Sequence, residues 1–543
     1  MMRTASLLFY GCGCLLAVIA RGATAIETCD VAIYGATSSG VIAAVQAARM
    51  GKSVVLLEPG RHMGGMTTGG LGATDTGRVE AIGGLAREFY ERIARKYDDD
   101  RYWTHQSRDQ YIPPGPASRA ADRRVMWTFE PKVAAEVFAD MMREQGIAVR
   151  FRERLVPKIG VTREGGRIVE LVLESGARIR AKMFIDASYE GDLMAWAGVA
   201  YTVGRESTQA YGESLNGIST KYTYRHERKD EIDAYVIVGD PASGLLPTVE
   251  ARRMTEGAAD PGIMASCFRM CLTNQPSNRL PIEKPAAYQE QHYELLLRSI
   301  EAGRTDKFFN LLAMPNGKTD SNCTEPFSTN FVGMNHGYPD GDYAAREKIV
   351  TAHRNYQLGF LWTLQHHPRV PELVRQTMLA WGLPKDEFAE HGNWPPQLYI
   401  REGRRMIGEL VMLQQHCEKL RPVAEPIGLG SYTMDSHYVS RFADERGKVR
   451  HEGNFDRHVS PYGIGYRALV PKADQCRNLL VSVCLSASHV AYGSIRMEPV
   501  FMILGQSAAT AACLAIDADT SVQQLPYARL RDRLVADKQV LEF

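Results

Sequence analysis

Residues 31–58 carry the feature that most limits how this chain can fold. Val31-Ala32-Ile33-Tyr34 is a short apolar run of the kind a buried parallel strand needs. Gly35-Ala36-Thr37-Ser38-Ser39-Gly40 comes next, then an alanine-rich stretch over 41–50 that reads as a helix and stops at Gly51. Ser53-Val54-Val55-Leu56-Leu57 reads as a second strand, with Glu58 at its end. Strand, glycine turn, helix, strand and acid in this order describe a dinucleotide-binding βαβ unit. Gly35 permits the tight turn, and Gly40 lets the helix lie against the sheet. The helix N-terminus, where Thr37 and Ser39 sit, faces a pyrophosphate. Glu58 stands 23 positions beyond Gly35, close to the ~20 expected of a carboxylate that grips ribose hydroxyls. Thr37 replaces the usual middle glycine, so the complete βαβ context carries the assignment and the turn alone does not.

The residues directly after Glu58 choose among dinucleotides. Pro59-Gly60-Arg61-His62-Met63-Gly64-Gly65-Met66 places a Gly-Gly pair beside the nucleotide unit, and Thr67-Thr68-Gly69-Gly70-Leu71-Gly72 continues the glycine-rich path. This succession resembles the second fingerprint of the glutathione-reductase-like FAD superfamily, where backbone approaches the cofactor. FAD is therefore expected, with Pro59, Gly64, Gly65 and Met66 beside it. No later segment repeats the βαβ fingerprint, so a separate NAD(P) domain is not expected. His62 offers a nitrogen for covalent attachment to the flavin, with non-covalent binding as the alternative.

Later segments complete the same unit. Glu130-Pro131 opens a helix with Val133, Val137 and Met141 on one face. A strand is expected over 147–151, after which the superfamily presents backbone to adenine, here at Val156. A hairpin is expected over 161–180. The strand ending in Ala187-Ser188, and Asp192 just beyond it, also approach FAD in the resemblance. Residues 478–483 read as a strand, 485–496 as a loop, and 498–516 as a helix of small residues. Glu498 and Gly505 on that helix are expected near the flavin, whose N1–C2=O edge gains negative charge on reduction and suits a helix N-terminus. The intervening 205–460 is richer in aromatics, prolines and helical stretches (285–302, 343–366, 371–381), and reads as a substrate or cap domain. The expected fold is α/β: a Rossmann-like FAD-binding domain of glutathione-reductase type over 26–204 and 461–543, interrupted by that insertion. Gly317-Lys318-Thr319 lacks the upstream glycine of a phosphate loop, and Asn322-Cys323-Thr324 matches a glycosylation sequon.

These stretches together resemble the FAD-dependent oxidoreductase family of secreted bacterial proteins, sometimes labelled xanthan-lyase-like. The resemblance rests on 30–75, 130–199, 401–409 (REGRRMIGE), 462–471 and 478–512, roughly a third of the chain. It implies a two-domain FAD fold and leaves the substrate open. An oxidoreductase acting on a C–OH or C–N bond of a small molecule or saccharide, with dioxygen or a carrier as electron acceptor, uses the cofactor. A polysaccharide lyase, as the label hints, needs none, and an FAD-binding protein without turnover is the third reading.

His489, Tyr492 and Arg496 precede the last helix and are the catalytic candidates. A histidine there takes the proton while hydride passes to flavin N5, against a loop histidine bonding backbone. Arg496 balances a reduced flavin or holds an anionic substrate, against a structural pairing with Glu498. Arg401, Arg404 and Arg405 are expected on one helix face, in an anion site or a network with Glu402 and Glu409.

Charge and leader bear on partners and compartment. Lys plus Arg number 64 against 63 Asp plus Glu, without the basic excess that phosphate neutralisation demands, so nucleic acid is not an expected partner. Arg3, an apolar run over 5–20 and Ala23-Thr24-Ala25 read as a secretory signal peptide spanning 1–25. That run is short of the ~20 residues needed to span a bilayer. A secreted or periplasmic protein without stable membrane insertion after cleavage is expected. Eight cysteines then remain and read as buried free thiols, and no metal site is expected from their spacing.

Overall fold

The computed structural model describes residues 26–115, 124–220, 231–251, 254–324 and 326–543. The expected signal peptide lies outside the described residues. The central sheet takes β1 (Ile26–Tyr34), β2 (Val54–Glu58), β3 (Val149–Phe151), β4 (Val161–Glu164), β5 (Arg167–Val172), β6 (Arg178–Asp186) and β7 (Leu479–Val481). β1 is exposed at its start and wholly buried over its last four residues, so the apolar run sits where the sheet is covered on both faces. β1 pairs in parallel with β2 and β6, and β3 extends the sheet beyond β2. On its other side β6 serves two partners. Its first residues pair antiparallel with β5, which forms a hairpin with β4, and its last three pair in parallel with β7.

Helix α1 (Ser38–Arg49) joins β1 to β2, and the Thr37 hydroxyl caps it by accepting from the Gly40 N–H at 3.3 Å. Short α2 (Gly65–Thr68) comes after β2, and α3 (Gly84–Tyr97) and α4 (Pro131–Glu144) lie between β2 and β3. Past β6 come α5 (Asp192–Trp196), the long α6 (Tyr343–His366), α7 (His489–Ile495) and α8 (Glu498–Asp517). α8 is long and apolar enough to cross a membrane, but it is almost entirely enclosed by the protein, as a core helix is. A Cβ at Gly505 would lie 2.2 Å from the Ser39 carbonyl, and one at Gly40 would lie 1.9 Å from that of Gly35. These two glycines let α8 approach α1 and α1 approach the turn.

Three helix expectations over the insertion meet different outcomes. The helix expected over 343–366 is α6 itself, capped by Asp342, which accepts from the Ala345 N–H at 2.8 Å. That over 285–302 shortens to Glu294–Glu301, because a 3-10 turn occupies Glu290–Tyr293. That over 371–381 is Glu372–Leu379, with Pro371 extended at its start. The loop expected over 485–496 instead contains α7, since the Ser488 hydroxyl accepts from the Ala491 N–H and starts a helix.

Lys318, in the rejected phosphate-loop motif, sits on an antiparallel strand, Lys318–Ser321. Its Nζ lies 2.6 Å from Glu130, 2.7 Å from Asp386 and 2.7 Å from Glu387. Among the described residues, this acidic group alone is spaced closely enough for a metal ion. The ammonium stands among its three carboxylates. Burial disfavours the lysine charge, but the carboxylates outweigh it and hold the pKa above the ordinary range.

Candidate active site

A cleft opens beyond the carboxyl ends of β1, β2 and β6. Ligands of open parallel sheets bind at this place. Gly35, Ala36 and Thr37 line one wall, Glu58, Pro59 and Gly60 line one end, and Gly65, Ser188 and Tyr189 also contribute. The N-terminus of α1 brings its peptide dipoles to the same wall. A Cβ on Gly35 (φ +98°) would come 2.6 Å from the Ser188 nitrogen, and one on Gly65 (φ +55°) would come 2.3 Å from the Tyr189 hydroxyl. Bare backbone therefore borders the cleft on both sides, and a pyrophosphate fits such a cradle without side chains to displace.

Each expected cofactor residue has a definite place. Thr37 Oγ1 donates to the Ala187 carbonyl at 2.7 Å, tying the turn to the end of β6. The Ser188 N–H and hydroxyl both donate to Asp186, whose carboxyl burial pushes up to about 6. Glu58 lines the cleft, but its carboxylate also accepts from the Ala36 N–H at 2.8 Å and the Gly60 N–H at 2.7 Å. It holds the two loops at this end of the cleft, and burial pushes its pKa up to about 7. Asp192 lines the cleft with its oxygens engaged by Arg346 at 2.6 and 2.9 Å and by Arg404 at 2.6 Å. It ties α6 to the nucleotide unit.

Five further residues expected near the cofactor do not line this cleft. Ser39 Oγ bonds Ser482 Oγ at 2.8 Å, and Gly505 packs on Ser39. The Met66 N–H donates to the Tyr189 hydroxyl at 2.9 Å. Glu498 accepts from Tyr189 at 2.7 Å, from Thr67 at 3.0 Å and from Ser38, so it reaches the cleft only through Tyr189. Val156 gives its N–H to Val172 and its carbonyl to Gly160. The hairpin consumes that backbone, and neighbouring Arg154 lines the cleft instead. Gly64 supports the wall by donating its N–H to the Ala36 carbonyl at 2.7 Å. His62 lines the cleft, with Nε2 2.8 Å from Thr68 Oγ1 and the Gly65 backbone bonding its ring. Burial, then His391, pushes it down to about 4, so it stands neutral.

The cleft wall continues into the interior along one segment. Pro396, Gln397 and Leu398 line the cleft, and the next residues serve the buried charged groups. The Tyr399 hydroxyl accepts from Arg496 at 2.7 Å. Glu402 accepts from His489 Nδ1 at 2.9 Å on each oxygen and pairs with Arg405 at 3.0 Å. The expected helix of Arg401, Arg404 and Arg405 is not formed. Gly403 crosses the Tyr189 carbonyl, where a Cβ would stand 2.5 Å away, and Arg405–Met406 pairs as a strand with Tyr201–Thr202. The three side chains diverge: Arg401 to two cysteines, Arg404 to Asp192 and Asp340, and Arg405 to Glu206 and Glu402.

The catalytic candidates gather inside this region and not on the cleft surface. His489 opens α7 and is wholly buried, its Nε2 3.3 Å from Ser436 Oγ and its ring edge-on to Phe455. The expected flavin-facing loop histidine is thus an enclosed helix residue. Arg496 pairs with Asp435 at 2.6 Å, and the alternative pairing with Glu498 does not occur. Tyr492 is buried, which pushes its phenol well above the ordinary range. Sequence reasoning missed Arg154, Tyr338, Tyr343 and Arg346, which line the cleft from far along the chain. No local pattern marks them.

A backbone cradle at the carboxyl ends of a parallel sheet, closed by the acid at the end of β2, defines a flavoprotein of the dinucleotide-binding class. The chain belongs to the FAD dependent oxidoreductase family, which it matches over residues 30–534. The cofactor of that family is FAD. Similar solved structures include the 3-ketosteroid-delta4-(5alpha)-dehydrogenase of Rhodococcus jostii RHA1, at 18% identity and a TM-score of 0.19 over 30% of this chain and 45% of that one. The L-amino acid deaminase of Proteus vulgaris is 17% identical, with a TM-score of 0.23 over 33% of this chain and 52% of that one. A geranylgeranyl bacteriochlorophyll reductase-like protein of Thermoplasma acidophilum is 11% identical, with a TM-score of 0.35 over 94% and 84%. The chain thus spans about half the length of the first two. No curated protein matches it.

Proposed function

We propose that the protein is a secreted oxidoreductase that oxidises a C–OH or C–N bond of a small molecule or saccharide and passes the electrons to dioxygen or a carrier. The observation that carries this reading is the 396–405 segment. It lines the FAD cleft and, within a few residues, holds both His489 and Arg496 in place. FAD, when bound, supplies the hydride acceptor. Glu402 against Nδ1 fixes the histidine tautomer and leaves Nε2 as the proton acceptor. The Ser436 hydroxyl that faces Nε2 at 3.3 Å marks where a substrate O–H or N–H would sit. Asp435 and Tyr399 orient Arg496 toward an electron-rich group. The cradle and the neutral His62, already bonded to Thr68, support non-covalent FAD.

Anaerobic mixing of the yellow protein with sugars, uronic acids, amines and amino acids tests the reading. An alcohol or amine that bleaches the flavin supports it. A flavin that dithionite bleaches and no member of the panel does would sink it. Secretion predicts that protein recovered from outside the cytoplasm begins at or near Ile26.

A further inference from the structure

Arg401 is wholly buried, and its surroundings differ from those of the other arginines in this region. Arg404, Arg405 and Arg496 each pair with a carboxylate. No described carboxylate lies within 4.0 Å of Arg401. It donates to the Ala265 carbonyl, to Asn330 Oδ1 at 3.1 Å and to Asn322 Oδ1 at 3.4 Å, all neutral. It also lies over the Tyr399 ring, 4.7 Å from the centroid, and Nη2 lies 3.1 Å from Cys267 Sγ and 3.7 Å from Cys323 Sγ. A guanidinium cannot shed its proton, and a buried charge without a counter-charge is strongly unfavourable. The titratable groups that touch it are these two thiols and Tyr399, whose phenol burial pushes up and keeps protonated, so a thiol is the group that can ionise to balance it.

The geometry says which. Cys267 is nearer the guanidinium and fully buried, while Cys323 keeps 8% of its surface exposed. The Cys323 thiol donates to Cys267, and with the Arg401 charge this pulls Cys267 down against burial, while Cys323 is pushed up. His437 faces Cys323 with Nδ1 at 3.5 Å and pairs with Asp435 through Nε2 at 3.4 Å. Burial holds it neutral. Arg269 adds a more distant positive charge. The two sulfurs come from separate segments, and none of the described cysteines is joined in a disulfide.

We propose that Cys267, a thiolate balanced by Arg401, and Cys323 form a redox-active pair that reacts with hydrogen peroxide. The Cys267 sulfur attacks one peroxide oxygen, so an S–O bond forms and the O–O bond breaks. The departing hydroxide takes a proton and leaves as water. The Cys323 sulfur then displaces the sulfenic hydroxyl, so an S–S bond forms, the S–O bond breaks and a second water carries off the Cys323 proton. Two electrons pass from the sulfurs to the peroxide. The disulfide removes the counter-charge of Arg401, so the reduced pair is favoured and the bond is readily reduced again, as with other disulfides whose thiolate form is stabilised. None of this depends on the substrate of the flavin.

The test uses the FAD-loaded protein and hydrogen peroxide alone. Peptide mapping without reductant should find Cys267 joined to Cys323, and dithiothreitol should restore both thiols. The rate of linkage should stay within about twofold between pH 6 and pH 8, whereas an ordinary thiol with a pKa near 8.5 would speed up by close to a hundredfold. Cys323→Ser should stop at a Cys267 sulfenic acid that dimedone traps. Wild-type protein in which other cysteines oxidise first while Cys267 and Cys323 stay reduced would overturn the proposal, as would a rate rising by close to a hundredfold over that pH range.

Discussion

The nucleotide cleft and the charged interior behind it are built by opposite means. One side of the cleft is largely backbone: Gly35, Ala36, Thr37, Gly60 and Gly65 border it, and all lie within some thirty consecutive residues, while Arg154, Tyr338, Tyr343 and Arg346 face them from far along the chain. The interior is side chain. His489–Glu402, Arg496–Asp435 and Arg405–Glu206 are pairs drawn from segments far apart in sequence. A cofactor common to many proteins is held by peptide groups that any sequence offers once side chains are cleared away. The chemistry proposed for this protein rests on charges that no local pattern predicts. The cleft should therefore fail through steric change, and the interior through loss of a group.

The sharpest break is expected at Gly40→Val. A Cβ there already meets the Gly35 carbonyl at 1.9 Å, so the variant should purify without flavin absorbance. A yellow variant would show that α1 has room to spare. Next comes His489→Ala, which should keep its FAD while anaerobic bleaching by substrate slows ~10²–10⁴-fold, the usual contribution of a general base. Normal bleaching would return the histidine to a packing role and leave Arg496 to be tested. Glu58→Ala should weaken FAD by roughly tenfold to a hundredfold, from ~1.5–3 kcal/mol for hydrogen bonds to a charged group, as equilibrium dialysis would read.

Glu58 also gives a pH signature. Its carboxyl titrates at about 7 in the folded chain, against an ordinary value of 4.5. The folded state therefore keeps a proton that the unfolded chain has lost. Stability of the flavin-free protein should fall as pH rises from about 4.5 to about 7, and Glu58→Gln should flatten that part of the slope in denaturation curves. The smallest effect is expected at Tyr343→Phe, which loses the bond from its hydroxyl to the Leu155 carbonyl. That is worth ~0.5–1.5 kcal/mol in thermal unfolding, with little change in bleaching rate.

Much of the fold is legible in the sequence because it is local. The run from Val31 to Glu58 names its own strands and helix, and α6 announces itself through Asp342 and its helical composition. The misreadings share a cause. Gly493 and the serines near 485–496 read as a loop, but Ser488 caps a helix whose small residues let it pack: a Cβ on Gly493 would stand 2.7 Å from the Asp435 carbonyl. Arg401, Arg404 and Arg405 have helical spacing, yet each is drawn to a different buried partner, and tertiary ion pairing overrides the local periodicity. Gly505 and Glu498, expected near the flavin, do not themselves line the cleft: Gly505 packs on Ser39 and Glu498 bonds Tyr189. Which side of a fully buried helix meets the cofactor is not encoded in its composition.

The late position of β7 has a consequence for how the protein comes into being. The Ser482 N–H donates to the Asp186 carbonyl at 3.1 Å, between residues 296 apart in the chain, and Gly505 then presses onto Ser39. A nascent chain halted before residue 479 holds the glycine turn and Glu58 but has neither the strand beside β6 nor the helix that backs α1. Closing so long a loop is entropically costly and comes late. Cofactor capture therefore waits for nearly the whole polypeptide, and truncated products should emerge colourless.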